Sequence, residues 1–206
     1  MANQIRGIIL EGQSCSGKSS IFNAIKKYHI MQNDNERNVI FLSEQYSQNL
    51  NLVNGKFEKL SEEENLKVLI DRITMLEQLN NYANSMGLHS RRSRGLFYVF
   101  ERFHFNYAFC FSQNIAFKYK EVEDRLKNLN AYTILCTISD NKIEQRLKHR
   151  ATLTNEVITE DIVNEYKKNQ DLFIKIANNS NVSTTILNTD NMDWDHIAKE
   201  IYRLNY

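Results

Sequence analysis

The sequence predicts one α/β layer domain with a mostly parallel sheet, on three observations. Five short apolar runs alternate with amphipathic helical stretches, which is the pattern of strand–helix–strand crossovers. A glycine-containing loop stands directly between the first run and the first helix. The 206 residues carry no glycine- or serine-rich linker and no internal repeat, so residues 1–206 read as one domain around one core.

The elements follow in order. Ile5–Leu10 is a continuous apolar run suited to a fully buried strand, and a helix begins at Lys18 with Ile21, Ala24 and Ile25 on one face. Asn38–Leu42 reads as the second strand. Ser61 and Glu64 have capping-box spacing, and Leu66, Leu69, Ile70, Ile73, Leu76 and Leu79 carry a helical stripe to about Met86. Gly95–Phe100 is the third strand, followed by an aromatic-rich helical stretch from about His104 to Tyr119. Ala131–Ile138 is the fourth strand. Helices are expected over Ile143–Arg150 and Glu160–Ala177, separated by the polar stretch Ala151–Glu156. Val182–Leu187 is the fifth strand, and Asp193–Leu204 closes the chain as an amphipathic helix. Ligands of such a sheet bind beyond the carboxyl ends of the strands.

Composition narrows the functions. With 26 basic and 25 acidic residues the net charge is +1, too little surplus for a general nucleic-acid binder. No apolar run approaches the roughly 20 residues that span a bilayer, and no leader pattern opens the chain, so a cytoplasmic protein without membrane contact is expected. Three cysteines without CxxC spacing and five scattered histidines favour free thiols over disulfides or structural metal. Proline is absent, so turns fall to asparagine (26 residues), aspartate, serine and six glycines.

The loop Gly12-Gln13-Ser14-Cys15-Ser16-Gly17-Lys18-Ser19 fits G-x-x-x-x-G-K-[ST] without mismatch, with Ser20 continuing into the helix. Its glycines let successive N–H groups turn inward on phosphate oxygens, beside the positive end of the helix. Lys18 would reach the β- and γ-phosphates of ATP, and the Ser19 hydroxyl would ligate Mg²⁺. Cys15 stands where a thiolate is favoured. At the end of the third strand, Glu101 and Arg102 place an acid for Mg²⁺ or its waters beside a cation for transferring oxygens. Arg146, Lys148, His149 and Arg150 crowd one helix end and would cover the γ-phosphate against water.

These residues together resemble the thymidylate kinase and deoxynucleoside kinase branch of the P-loop kinases, over nearly the whole chain. Glu101-Arg102-Phe103, with Ala108-Phe109 after it, is similar to the thymidylate kinase D-R-Y/F signature, Val68–Arg72 to its acceptor-phosphate helix, and Ile186–Trp194 to its last strand and helix start. The resemblance implies a three-layer fold, a five-stranded parallel sheet flanked by helices, with an arginine-bearing lid over about 146–158. It implies ATP and Mg²⁺ as cofactors and a nucleoside monophosphate as acceptor, with Arg72 gripping the acceptor phosphate and Phe105 beside it. Leu10-Glu11-Gly12, Glu101 and the Arg146–Arg150 segment resemble the deoxynucleoside kinases, which implies Glu44 as base for a 5′-hydroxyl and Gln78 as reader of the nucleobase.

Several positions depart from both patterns. Gln45 stands where proline commonly follows the glutamate, Phe103 where deoxynucleoside kinases have serine, and Gln13–Ser16 lacks the acidic residue of the thymidylate kinase loop. A kinase of another small molecule and a non-catalytic nucleotide-binding protein are therefore alternatives. A GTPase is disfavoured, because Asn141-Lys142 is followed by Glu144 where guanine reading needs aspartate. The basic segment His89–Arg94 could hold an acidic partner or be solvated. The aromatic run Phe103, Phe105, Tyr107, Phe109, Phe111 could serve a homodimer or the core.

Overall fold

The computed structural model describes residues 5–32, 38–44, 50–53, 56–87, 95–111, 116–154 and 156–204. Five strands, β1 (Arg6–Glu11), β2 (Asn38–Leu42), β5 (Leu96–Glu101), β6 (Ala131–Thr137) and β7 (Thr184–Asn188), form one sheet. Its order is β2-β5-β1-β6-β7 and every pairing is parallel. A separate antiparallel pair, β3 (Leu50–Val53) and β4 (Lys56–Lys59), precedes the second helix. Sequence reading did not anticipate this pair.

Strict alternation along the two central strands produces the layers. In β1 and β5, Ile8, Leu10, Phe97 and Val99 face α1 (Lys18–Met31) and α7 (Trp194–Leu204), where they pack with Ile21, Ile25, Ile197 and Ile201. Ile9, Tyr98 and Phe100 face the other way, onto α2 (Glu62–Gly87) and α4 (Ala116–Asn128), where they meet Leu69, Ile73, Leu76, Val122 and Leu126. Both faces are apolar, so β1 and β5 are buried throughout.

Helix ends follow local chemistry. Ser61 Oγ accepts from the Glu64 N–H (3.3 Å) while Glu64 Oε2 accepts from the Ser61 N–H (2.9 Å), a reciprocal capping box that starts α2. Ser61→Ala is expected to lower Tm by about 2–4 °C, checked by thermal melting, since one amide loses its acceptor.

Two helical boundaries differ from expectation. The aromatic stretch divides into α3 (His104–Phe111) and α4, the latter continuing to Asn128. Helix α5 runs over Asp140–Thr154, so the first four residues of the polar segment expected after Arg150 are its last turn; α6 (Glu160–Asn179) follows. Phe103, Phe105 and Tyr107 are fully buried, and Phe109 and Phe111 pack against the core, so the aromatic run fills the interior. The segment His89–Arg94 lies outside the described residues, as does Gln45.

Candidate active site

The central strand β1 ends at Glu11, and the chain turns there through backbone that only glycine adopts readily. Gly12 has φ of 129° and Gly17 φ of 89°, and Cys15 between them is also left-handed at 67°. A side chain on Gly12 would press into the Cys136 carbonyl oxygen of β6, and one on Gly17 would stand 2.6 Å from the Trp194 ring. The loop is therefore wedged between β6 and the start of α7. Its Ser14 carbonyl accepts from the Tyr166 hydroxyl of α6 at 2.8 Å, and its Ser16 carbonyl from the Thr189 hydroxyl at 2.9 Å.

Above the loop opens a cavity of about 610 Å³, at the carboxyl ends of the strands. Ser14, Cys15, Gly17, Lys18, Ser19 and Ser20 line it from the loop, Glu44 and Arg102 from β2 and β5, and Arg146, His149 and Arg150 from α5. The structure thus brings together the phosphate loop, the strand-end Glu–Arg pair and the α5 arginines, which lie far apart in sequence. Lys148 does not join them: it pairs with Glu144 one turn back on the exposed face of α5. Gly12, Gln13 and Ser16 shape the loop from beneath and do not line the cavity.

The polar contacts inside it are specific. Lys18 Nζ donates to the Gln13 carbonyl at 2.7 Å, holding the lysine along its own loop. Burial, then the Arg102 charge, lowers the Lys18 pKa to about 8. Ser19 Oγ donates to Glu101 Oε1 at 2.5 Å, so hydroxyl and carboxylate face one point at the start of α1. Arg102 Nη2 donates to Ser14 Oγ at 3.1 Å, and Arg102 Nε lies 3.0 Å from Glu44 Oε1, an ion pair off the hydrogen-bond line. Arg146 Nη2 donates to the Thr189 carbonyl, and its guanidinium lies 5.5 Å from the Trp194 ring centroid.

Ser19 with Glu101 fits Mg²⁺: two hard oxygen donors stand side by side at the start of α1, next to the glycine-bounded loop. Among the described residues no group of three or more His, Cys, Asp or Glu could hold a metal, and Mg²⁺ needs no such cage, since it keeps waters and phosphate oxygens.

Three nominated acceptor residues fall elsewhere. Phe105 is fully buried against Leu135 and Phe173 beneath α6, so it cannot face an acceptor in this cavity. Gln78 is exposed on α2, two residues and therefore about 200° past the buried Leu76. Arg72 is half-buried on α2 outside the cavity lining, with Nη1 buried and lacking a hydrogen-bond partner. Burial lowers its pKa to about 10. Conversely, sequence reasoning did not nominate Lys142, Gln145, Asp190, Met192 or Trp194, which complete the wall beside α5 and α7. A lone tryptophan just after the last strand was the available signal.

Sheet order, loop and layering define a three-layer α/β P-loop kinase fold. The chain shares its fold with solved structures at 13–18% sequence identity, two of them thymidylate kinases. It is similar to the YorR protein of Bacillus subtilis, solved in complex with phosphorylated GDP (TM-score 0.62, 18% identity, 96% of this chain and 94% of that one). It is likewise similar to thymidylate kinase from Ehrlichia chaffeensis (TM-score 0.52, 13%, 98% of each chain). A third similar structure is thymidylate kinase from Candida albicans (TM-score 0.53, 14%, 98% and 91%). In sequence the chain matches no protein-family model and no curated protein. Among the described residues no helix is long and apolar enough to cross a membrane, and no disulfide involves Cys15, Cys110 or Cys136.

Proposed function

We propose that this protein transfers the γ-phosphoryl group of ATP to a nucleoside monophosphate, as a thymidylate kinase-like enzyme acting as one domain in the cytoplasm. The observation that carries the reading is the shared cavity. Lys18 and three guanidinium groups, Arg102, Arg146 and Arg150, converge on the mouth of a phosphate loop. Phosphoryl transfer needs little besides positioning and positive charge, because its transition state is loose and its charge is spread over the equatorial oxygens.

In this reading the amides of Ser14–Ser19 and Lys18 hold the ATP phosphates. Ser19 and Glu101 hold Mg²⁺, which when bound neutralises charge on the β- and γ-phosphates. Arg102 stands between donor and acceptor, and Arg146 and Arg150 close from α5 to exclude water. Arg72, outside the cavity wall, would meet an acceptor phosphate with its unpartnered Nη1 only where the acceptor extends toward α2. The two thymidylate kinases of the same fold support this choice of acceptor class.

One observation favours a second reading, transfer to a nucleoside 5′-hydroxyl. The Glu44 carboxylate lines the cavity next to Arg102, where it could take the proton of an attacking hydroxyl. Purified protein with ATP and Mg²⁺, offered all nucleosides and their monophosphates, separates the two. Turnover confined to monophosphates supports the first reading, and turnover confined to nucleosides replaces it with the second. Arg72→Ala is expected to raise the acceptor KM about 10- to 100-fold with little change in the KM for ATP, the loss of one charge-assisted contact. An unchanged acceptor KM removes Arg72 from the site.

A further inference from the structure

Glu11 is fully buried at the last position of β1, immediately before the phosphate loop. A buried carboxylate demands a reason, since moving it out of water is unfavourable unless it is hydrogen-bonded. Its Oε1 accepts two backbone bonds, from Phe103 N–H and Phe105 N–H, both at 2.9 Å. Those amides directly follow Arg102, where the chain turns from β5 into the first turn of α3. Arg102 itself sits at φ of 56°, a left-handed conformation unfavourable for any residue but glycine, and its N–H donates to the Leu10 carbonyl at 2.8 Å. Leu10 and Glu11 together therefore take the amides of residues 102, 103 and 105. The remaining charged and titratable neighbours do not pair with the carboxylate. His104 Nδ1 is 3.6 Å from Oε1 without a hydrogen bond, both its ring nitrogens lack partners, and burial keeps its pKa down at about 3, hence neutral.

We propose that Glu11 is a positioning residue: its carboxylate oxygen pins two amides just after Arg102 and so aims that guanidinium across the phosphate loop, at Ser14 and Glu44. One side chain thereby ties the phosphate loop to the arginine that meets the transferring group, so the two move as a unit. The proposal rests on the kinase reading for its catalytic consequence, while the pinning itself is independent of turnover.

Two measurements test it. Glu11→Ala leaves the Phe103 and Phe105 amides without an acceptor, so their hydrogen exchange is expected to speed up by ~10-fold or more. Its kcat is expected to fall ~100-fold with the KM for ATP changed by less than ~3-fold, since a displaced arginine harms the transition state more than ground-state binding. Glu11→Gln keeps one carbonyl oxygen at the same place and is expected to restore both. If Glu11 acts through Arg102, the Glu11→Ala, Arg102→Ala double variant transfers no more slowly than Arg102→Ala alone. Unaltered amide exchange in Glu11→Ala overturns the pinning, and losses that multiply in the double variant overturn the route through Arg102. Should Glu11→Ala fail to fold, the Glu11→Gln and Glu11→Asp pair decides: Asp, one methylene short, is expected to show the faster exchange and the kcat loss, and equality of the two overturns the proposal. A wild-type protein with no transfer to any acceptor defeats the kinase reading, and the exchange measurement still decides the pinning.

Discussion

Lys18→Met is expected to reduce phosphoryl transfer by about 10³-fold, the largest single loss in the site. Methionine keeps the length and packing of the stem but removes the only ammonium group that the loop itself holds. That ammonium donates to the Gln13 carbonyl at 2.7 Å, a neutral partner that a phosphate oxygen would outcompete. The buried cation is costly without phosphate, and its pKa is lowered to about 8, chiefly by burial. A Lys whose folded-state pKa lies below its unfolded value makes the fold less stable where it must be charged, below about pH 8, and that penalty fades as pH rises toward the unfolded value. Lys18→Met should therefore melt no lower than wild type at pH 7. The same pKa gives binding a pH dependence. Phosphates require the charged form, so ATP affinity is expected to fall as pH rises above about 8, by up to roughly tenfold per unit, and Lys18→Met should flatten that slope. Trp194, the sole tryptophan, lies against the loop at Gly17, so its fluorescence is the expected readout of binding. Full activity in Lys18→Met, or a wild-type affinity unchanged between pH 7 and 10, contradicts this assignment.

What the sequence disclosed, it disclosed where function or burial rests on adjacent residues. The phosphate loop is legible because its backbone demands glycine at fixed positions, and the five sheet strands because both faces of a central parallel sheet must be apolar. Asn38–Leu42 agrees with β2 to the residue. The β3–β4 pair escaped notice although Asn54-Gly55, a favoured two-residue hairpin sequence, stands between Leu52 and Phe57, which are paired. Four-residue strands with so few apolar positions leave too short an alternation to detect. Glu11 was unreadable for a different reason: its partners are backbone amides 92 and 94 positions away, which no side-chain motif reveals. Phe105 and Gln78 were misplaced by resemblance. Rotation about their helices carries one into the core under α6 and the other into solvent.

Gly12→Ala is the second large effect, and it acts through the fold before the chemistry. At φ of 129° an L-residue is strained whatever room surrounds it, and here there is none, because the methyl group would press on the Cys136 carbonyl oxygen. That oxygen belongs to β6, which is hydrogen-bonded on both edges, to β1 and β7, and cannot yield as a side chain would. The loop must move instead, taking with it the turn that Glu11 ties to Arg102. A cost of about 3 kcal/mol follows, or a Tm lower by roughly 6–12 °C, together with weakened ATP binding. Gly17→Ala is the informative contrast. Its φ of 89° is also left-handed, but the obstacle is the Trp194 ring, whose side chain can turn aside. Its Tm is expected to fall less than that of Gly12→Ala while ATP affinity falls as much, because the altered amide directly precedes Lys18. Thermal melts and ATP titrations of the two variants check the ranking, and a Gly12→Ala protein that melts with wild type and binds ATP normally would show that the β1-to-loop turn does not depend on glycine at all.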